Sequence, residues 1–312
     1  MSMLSILILI APIFLLIVLG YLLRRGGIPD VNFWNLNDRL VYWVLMPSLL
    51  FHKTSTIDMS FELVGSYAIV ILGGFFAALV FGLVTAWTTG MENPSASSVM
   101  QGAARHNSFL ALSVAGLVFG PDGLAIAALA TSLLIPVTNF TVVPLMVVLN
   151  QKERTVGVGR AILRDLVRNP LILSVCGGIA FNLLGWKSVP VLHEMVGMLG
   201  QAALPVVLMC VGANLRPRDM QASALPLALS ITGKMAVFPL VTLGLSLMMG
   251  LGPLEMSVAM VFAAVPTATA AFTLARQMGG DAPLMAAITT IQTGLGLISI
   301  PVWLVIVGQI QN

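Results

Sequence analysis

Charge is what this sequence has least of. Only 9% of its 312 residues are charged, whereas a soluble domain carries about 25%. Hydrophobic residues make up 58% of the chain, and its mean hydropathy is +1.00. A surface that faces water cannot be built from so few charges. The composition therefore excludes an ordinary soluble protein and predicts an all-α polytopic protein embedded in a lipid bilayer.

Cysteines and clustered polar groups are also scarce. Cys176 and Cys210 lie in apolar runs without a CxxC spacing, which favours packing over a disulfide or a metal pair. The sequence offers no acid pair within a span, no Ser/His/Asp set and no clustered metal ligands. We therefore expect a protein that is not an enzyme and that holds no metal or other cofactor. Its basic residues sit in short loops beside apolar runs, which gives no reason to expect nucleic acid as a partner.

Apolar runs of membrane-spanning length recur along the whole chain. They predict ten transmembrane helices, called spans 1 to 10 below: 4–23, 36–52, 63–88, 98–119, 123–149, 170–185, 191–213, 224–250, 255–277 and 283–308. We expect residues 151–169 to form a short amphipathic connector on the cytoplasmic side. Eleven Lys and Arg residues fall at odd-numbered loops and two at even-numbered loops. The positive-inside rule then predicts a multi-pass protein of the inner cell membrane with both termini outside.

The two halves of the chain share a spaced pattern of glycine, proline and aspartate. Pro47 recurs 158 residues later as Pro205, and Asp122 recurs 159 residues later as Asp281. We expect the two prolines to kink spans 2 and 7. The predicted repeats are 1–150 and 170–312. Because each holds five spans, the second enters the membrane from the opposite side, an inverted repeat typical of secondary transporters. A duplication kept for packing alone is the alternative.

Two spans carry polar interruptions at corresponding positions. Pro266 lies in the middle of span 9 and removes a backbone donor there, and Thr267 and Thr269 can satisfy the freed groups or face a polar solute. At a spacing of 159, Pro266 corresponds to Asn107 within RHNSF (105–109) of span 4. We expect both spans to be broken near the membrane centre, although a single proline can also be only a tolerated kink.

Two cations lie within spans and face no acid there. An ionised side chain at the bilayer centre costs about 3 kcal/mol even on permissive scales, yet Arg105 and Lys234 have no mid-membrane carboxylate to pair with. The simplest missing partner is an anionic substrate. The alternative is that either cation extends to an interface or bonds to carbonyl groups. His52 and Asn214 end their spans and are more typical of caps than of ligands. His193, next to Glu194, is expected to form a solvated pair.

The order of these motifs resembles that of the auxin efflux carrier family, which includes plant auxin exporters and bacterial malonate transporters. The resemblance rests on LVYWVLMPSLLFH (40–52), RNP (168–170), Lys234 followed by Pro239, and AAVPTATAAFTLARQM (263–278). It implies a ten-helix fold of two inverted repeats and a homodimer. Spans 1, 2, 6 and 7 would form a scaffold. Spans 3–5 and 8–10 would form a transport domain that moves like an elevator, with the substrate beside crossing spans 4 and 9.

The resemblance also assigns residues. Asn107 matches the crossover asparagine of the family, Pro266 its span 9 proline, and Asn169 the asparagine of the RNP motif. One position departs, because the family commonly has proline where this chain has His106, a side chain that titrates near neutrality. The short central loop gives no support for auxin itself as the substrate.

Together these observations predict a secondary carrier of a small organic carboxylate, malonate-like or auxin-like, that works by alternating access. The expected substrate-binding residues are Arg105, His106, Asn107, Ser108, Pro266, Thr267, Thr269, Lys234 and Asn169, with weaker candidates His52 and Asn214. A sodium-coupled symporter of a larger organic anion and an anion channel are the alternatives. The sequence leaves open whether H⁺ or Na⁺ is a coupling ion, and in which direction transport runs.

Overall fold

The computed structural model describes residues 2–56, 61–150 and 168–311, and regular structure within these ranges is helical throughout. Most of the predicted connector, 151–167, lies outside the described residues. The α-helices are α1 (Met3–Arg25), α2 (Val31–Leu40), α3 (Met46–Thr56), α4 (Phe61–Thr88), α5 (Asn93–Ala104), α6 (Ser108–Asn150), α7 (Pro170–Leu183), α8 (Leu192–Ala213), α9 (Ala224–Thr232), α10 (Phe238–Met248), α11 (Pro253–Ala264), α12 (Ala270–Gln277) and α13 (Ala282–Ile310).

The predicted spans coincide with helical segments of the structure, and spans 4 and 9 are each interrupted. Within the described ranges, six helical stretches are long and apolar enough to cross a membrane by length and composition, and α7 and α11 are shorter apolar helices. One stretch, Asn93–Asn150, holds predicted spans 4 and 5 together. It is interrupted between α5 and α6 and again at Gly120, whose φ is 68°. The chain is therefore an all-helical, multi-pass membrane protein.

The first helix has one buried face and an exposed face that is also apolar. In α1 the buried side chains are Ile6, Ile10, Ile13 and Ile17, the three- and four-residue spacing of one helical stripe. Leu4, Ile8 and Leu15 on other faces are each 66% exposed. An apolar exposed face is the surface expected of a helix that contacts lipid.

Two tight helix pairs recur at the repeat spacing. A methyl group at Gly20 of α1 would overlap the backbone of Met209 in α8, and one at Gly178 of α7 would overlap Thr54 and the carbonyl of Phe51 in α3. Gly20 and Gly178 differ by 158 in number, and so do Phe51 and Met209. The α1–α8 and α3–α7 contacts therefore match each other, and both depend on a glycine at the closest approach.

A wide helical turn precedes one proline in each half of the chain. Val41–Leu45 and Gly233–Val237 are π-helical, and Pro47 and Pro239 follow each after one intervening residue. Proline lacks the N–H that an α-helix needs there, and a wider turn accommodates the lost hydrogen bond. Pro205 lies inside α8, which continues through it to Ala213.

Candidate functional site

The chain is broken at both predicted interruptions, and the two breaks meet. Residues 105–107 separate α5 from α6, and residues 265–269 separate α11 from α12. The backbone N–H of Asn107 donates a hydrogen bond to the carbonyl oxygen of Pro266 at 2.8 Å. Two interruptions that are distant in sequence therefore form one junction of irregular backbone inside the protein.

The two breaks begin with the same backbone geometry. Arg105 ends α5 at φ −64° and ψ 149°, and Val265 ends α11 at φ −66° and ψ 151°. These residues are 160 apart in number, one more than the spacing used to align the sequence. The geometry therefore pairs His106 with Pro266. Proline favours an extended backbone in the residue before it, and Val265 precedes Pro266. This explains why α11 ends at Val265.

Asn107 and Thr267 satisfy the backbone groups that the breaks set free. The Asn107 side-chain oxygen accepts a hydrogen bond from the N–H of Leu110 at 3.1 Å and so caps α6. The Thr267 hydroxyl donates to the carbonyl oxygens of Gly102 at 2.8 Å and Arg105 at 3.2 Å. Both side chains are at most 2% exposed, so they hold the junction together from inside.

Gln292 of α13 completes the junction. Its oxygen accepts from the backbone N–H of Thr267 at 2.9 Å, and its amide nitrogen donates to the carbonyl oxygen of Gly102, also at 2.9 Å. Gln292 is fully buried. The sequence analysis missed this residue, and its one signal was a glutamine in an otherwise apolar span.

A cavity of about 450 Å³ opens beside the first break. Arg105 lies in its wall, and its guanidinium donates a hydrogen bond to the side-chain oxygen of Asn139 in α6 at 2.7 Å. Thr269 also lines the cavity. One side of the cavity comes from the α2–α3 segment and α8, namely Asp38, Val41, Tyr42, Val207, Cys210, Val211 and Asn214, with Arg216 following α8. The other side comes from α6 and from α12 with its preceding break, including Phe109, Thr269, Phe272, Thr273 and Gln277.

The charges around this cavity are distributed unevenly. Asp38 accepts a hydrogen bond from the Asn214 amide at 2.8 Å, and the Asn214 oxygen accepts one from Arg24 at 3.1 Å. Arg216 lies 4.0 Å from Asp219. Arg105, in contrast, has the neutral Asn139 as its hydrogen-bond partner, and no ion pair of Arg105 occurs within the described ranges. Its positive charge therefore faces the cavity without a carboxylate bonded to it, whereas Asp38 in the opposite wall is bonded to Asn214.

The other predicted residues of the first break lie behind the cavity wall. His106 is 6% exposed, and neither ring nitrogen has a hydrogen-bond partner in the described part of the chain. Its ring centroid lies 5.9 Å from that of Phe262. Ser108 is buried at the start of α6. Neither side chain lines the 450 Å³ cavity.

Lys234 is placed among protein groups. It is fully buried, donates to the carbonyl oxygen of Phe262 at 3.3 Å, and lies 4.0 Å from the ring centroid of Phe238. The carbonyl belongs to the last turn of α11, where the helix leaves acceptors without intrahelical partners. Lys234 therefore bonds to the end of a broken helix, which was the alternative reading of this cation, and it does not line the cavity.

Of the three remaining predicted residues, Asn169 and His52 lie away from the 450 Å³ cavity and Asn214 lies in its wall. Asn169 accepts hydrogen bonds from the N–H groups of Leu171 and Ile172 and so caps α7. Asn214 joins Asp38 to Arg24 at the cavity mouth, and His52 lines a separate cavity.

His193 does not form the expected solvated pair with Glu194. It is 7% exposed, and its Nε2 lies 3.1 Å from the hydroxyl of Ser55. Its Nδ1 accepts a hydrogen bond from the N–H of Val189 at 3.0 Å. A buried imidazole whose two nitrogens are both engaged is a structural residue.

Known proteins resemble this chain over most of its length. Residues 85–304 match the family described as membrane transport protein. A protein of Methanothermobacter thermautotrophicus named "Uncharacterized transporter" is 26% identical over 303 residues, covering 95% of this chain and 97% of its own. A protein of Rhizobium meliloti named "Putative malonate transporter" is 29% identical over 285 residues, covering 87% of this chain and 86% of its own. The family match spans more than half of the chain and includes both breaks, so the chain belongs to the auxin efflux carrier family of membrane transport proteins.

Proposed function

We propose that this transporter is a secondary carrier of a small organic carboxylate of the malonate type. The observation that carries the proposal is Arg105, whose charge faces a 450 Å³ cavity and whose hydrogen-bond partner is the neutral Asn139. A cavity of this size with a few convergent polar groups is typical of small-molecule sites. The name of the relative from Rhizobium meliloti agrees with a carboxylate substrate.

In this proposal Arg105 supplies the attraction and its neighbours supply orientation. The guanidinium has donors that match a carboxylate in a two-pronged arrangement. Asn139 occupies one of these donors and fixes the position of the group without cancelling its charge. Thr269 and Thr273, across the cavity, offer hydroxyl groups to the rest of the substrate. His106, Asn107, Ser108, Pro266, Thr267 and Lys234 then act by holding the broken backbone in place.

The proposed transport step is alternating access within a ten-span inverted repeat. The recurring glycine contacts and the matching backbone at Arg105 and Val265 support the repeat. The cavity lies between the helices assigned to the scaffold and those assigned to the moving domain. Movement of α5, α6, α11 and α12 along the scaffold would carry Arg105 from one side to the other.

We assign the mouth of this cavity to the cytoplasm. Arg24, Asp38, Asn214 and Arg216 at the mouth belong to odd-numbered loops and adjoining span ends, which the excess of Lys and Arg places inside. Both termini then lie outside the cytoplasm. The membrane in this proposal is the inner cell membrane. A homodimer formed through the scaffold is part of the same proposal.

The experiment is a current measurement on proteoliposomes fused to a solid-supported membrane, with concentration jumps of malonate. Wild type is compared with Arg105→Ala and with Arg276→Ala, a matched control whose arginine is exposed and outside the cavity wall. We expect saturable currents in wild type and Arg276→Ala and a loss of at least about tenfold in Arg105→Ala, because a charge–charge contact in a partly buried site supplies more than that factor.

The same preparation separates the alternatives. Sodium and pH gradients, applied in turn, identify a coupling ion by their effect on the current, and a larger current with sodium and a larger organic anion would favour the symporter. Non-saturating flux without counterflow would indicate a channel. Responses to cations or neutral solutes that Arg105→Ala leaves unchanged would refute the anion-carrier proposal.

A further inference from the structure

A second cavity lies at the opposite end of the same two walls. It has a volume of about 290 Å³, and its wall includes Leu49, His52 and Lys53 of α3, Gly200 and Gln201 of α8, and Leu124 of α6. The Arg105 cavity is bounded by the end of α2, the π-helical turn after it and the end of α8, whereas this one is bounded by α3 and an earlier part of α8. Both therefore lie where the proposed scaffold meets the proposed moving domain.

The scaffold sides of the two cavities correspond residue by residue. Each pair below has one member in the wall of each cavity and a difference of 158 in number: Leu49 with Val207, His52 with Cys210, Lys53 with Val211, and Tyr42 with Gly200. The same spacing relates the glycine contacts at Gly20 and Gly178. The second cavity is thus the counterpart of the first, and in this structure Arg105 lines only the first.

The chemistry of the two walls differs at the corresponding positions. Val211 and Cys210 are uncharged, whereas their counterparts Lys53 and His52 bring an ammonium and an imidazole. Neither of these groups has a side-chain hydrogen bond or ion pair within the described ranges. The acid whose field reaches Lys53 is Asp122, at the beginning of the segment that follows Gly120. Gly197 approaches His52 closely, since a methyl group there would lie 3.3 Å from Nε2.

We propose that Lys53, with His52, forms a second anion-binding station at the mouth opposite to the Arg105 cavity. The station would take the small carboxylates assigned above, and this inference rests on the proposed function. Lys53 would raise the local anion concentration at that mouth and contact the substrate when Arg105 faces it. At the Arg105 mouth the corresponding position is the uncharged Val211, and the cation in that wall, Arg216, lies 4.0 Å from Asp219. The two faces of the carrier should therefore differ in apparent affinity.

The first test measures malonate exchange from each face, in right-side-out and inside-out vesicles loaded with saturating malonate. Lys53→Gln should raise the half-saturating concentration at the Lys53 face roughly three- to tenfold, the range of a partly solvated charge pair. At the other face the change should be less than twofold. Lys53→Arg should restore the wild-type value. Lys187→Gln removes a cation from the same end of the protein and should behave as wild type.

The second test needs no transport. Gln201→Cys places a reporter thiol in the cavity, with Cys176 and Cys210 replaced by serine, and its reaction rates with anionic and cationic methanethiosulfonates are compared. Lys53→Gln should lower the anionic-to-cationic rate ratio, and Lys187→Gln should leave it unchanged.

Three results would overturn the inference: no change in either test, equal shifts at both faces, or the same effect from Lys187→Gln. A different outcome separates the two proposals. If the wild-type protein exchanges no carboxylate but Lys53→Gln still lowers the anionic-to-cationic rate ratio, the proposed function is refuted and the anion-binding station is retained.

Discussion

The two helix breaks share a backbone geometry but differ in what they expose. The first places Arg105 in the wall of the 450 Å³ cavity, while the second turns Thr267 inward, where its hydroxyl bonds to the carbonyls of Gly102 and Arg105. Of the second break, Thr269 is the residue that we assign to the cavity wall. The two breaks have therefore taken different tasks, since the counterpart of Arg105 by backbone geometry is the apolar Val265. One break presents charge, and the other braces it.

The largest effect is expected from cancelling the charge of Arg105 while leaving Arg105 itself in place. Asn139→Asp would place a carboxylate where the Asn139 oxygen now accepts from the guanidinium at 2.7 Å. An internal ion pair would then compete with the substrate, and we expect malonate transport to fall at least about tenfold. Initial rates of uptake into proteoliposomes measure this. Asn139→Gln retains a neutral amide and should keep far more activity. Equal activity of the two variants would mean that the charge of Arg105 is not what binds the anion.

The bracing role of the second break is tested by removing one hydroxyl. Thr267→Val takes away the hydrogen bond to the buried carbonyl of Arg105 and one of two to Gly102. A buried acceptor left unsatisfied costs about 1–3 kcal/mol. We expect the free energy of unfolding in mixed micelles to fall by that amount, while Thr267→Ser stays near wild type. If Thr267→Val were as stable as wild type but bound malonate poorly, Thr267 would be a ligand and not a brace.

The smallest effect is expected where the breaks can be made more alike. His106→Pro would copy Pro266, and Arg105 already has the extended backbone that must precede proline. The backbone N–H of His106 has no hydrogen-bond partner in the described chain, so proline at this position removes no backbone hydrogen bond. Stability should be unchanged or higher by up to about 1 kcal/mol, and transport should persist. These are measured by unfolding and uptake as above. Loss of transport at every pH would place the imidazole in the substrate site.

The positions of the helices and of the two breaks could be predicted from the sequence. Helix covers the ten apolar runs apart from the interruptions in spans 4 and 9, because run length and hydropathy decide whether a segment is a membrane helix. Pro266 predicted one break directly. The other, at RHNSF, has no proline and was predicted only through the repeat spacing. The structure shifts that spacing by one residue, because a short irregular segment carries no periodic signal that would fix its alignment.

The hydrogen-bond partners of the site residues could not be predicted from the sequence. Asn139 and Gln292 are single amides in apolar spans, and their contacts join residues 34 and 190 positions apart. Lys234 and Arg105 looked alike as lone cations, yet one bonds to a carbonyl of α11 and the other faces a cavity. Which face of a helix points inward depends on neighbouring helices, and the uniformly apolar spans leave that face unmarked. His193 was misjudged for the same reason, since Ser55 reaches it from α3.

The neutral partner of Arg105 has an electrical consequence. With Asn139 beside it, Arg105 adds one positive charge to the proposed moving domain, and a bound monoanion compensates that charge. A membrane potential of 100 mV acts on one elementary charge with about 2.3 kcal/mol. If the site crosses the membrane field as proposed, voltage drives the return of the empty carrier and leaves a carrier loaded with a monoanion nearly unaffected. An inside-negative membrane then draws the empty site toward the cytoplasm, so the residue that captures the anion also sets where the carrier waits for it.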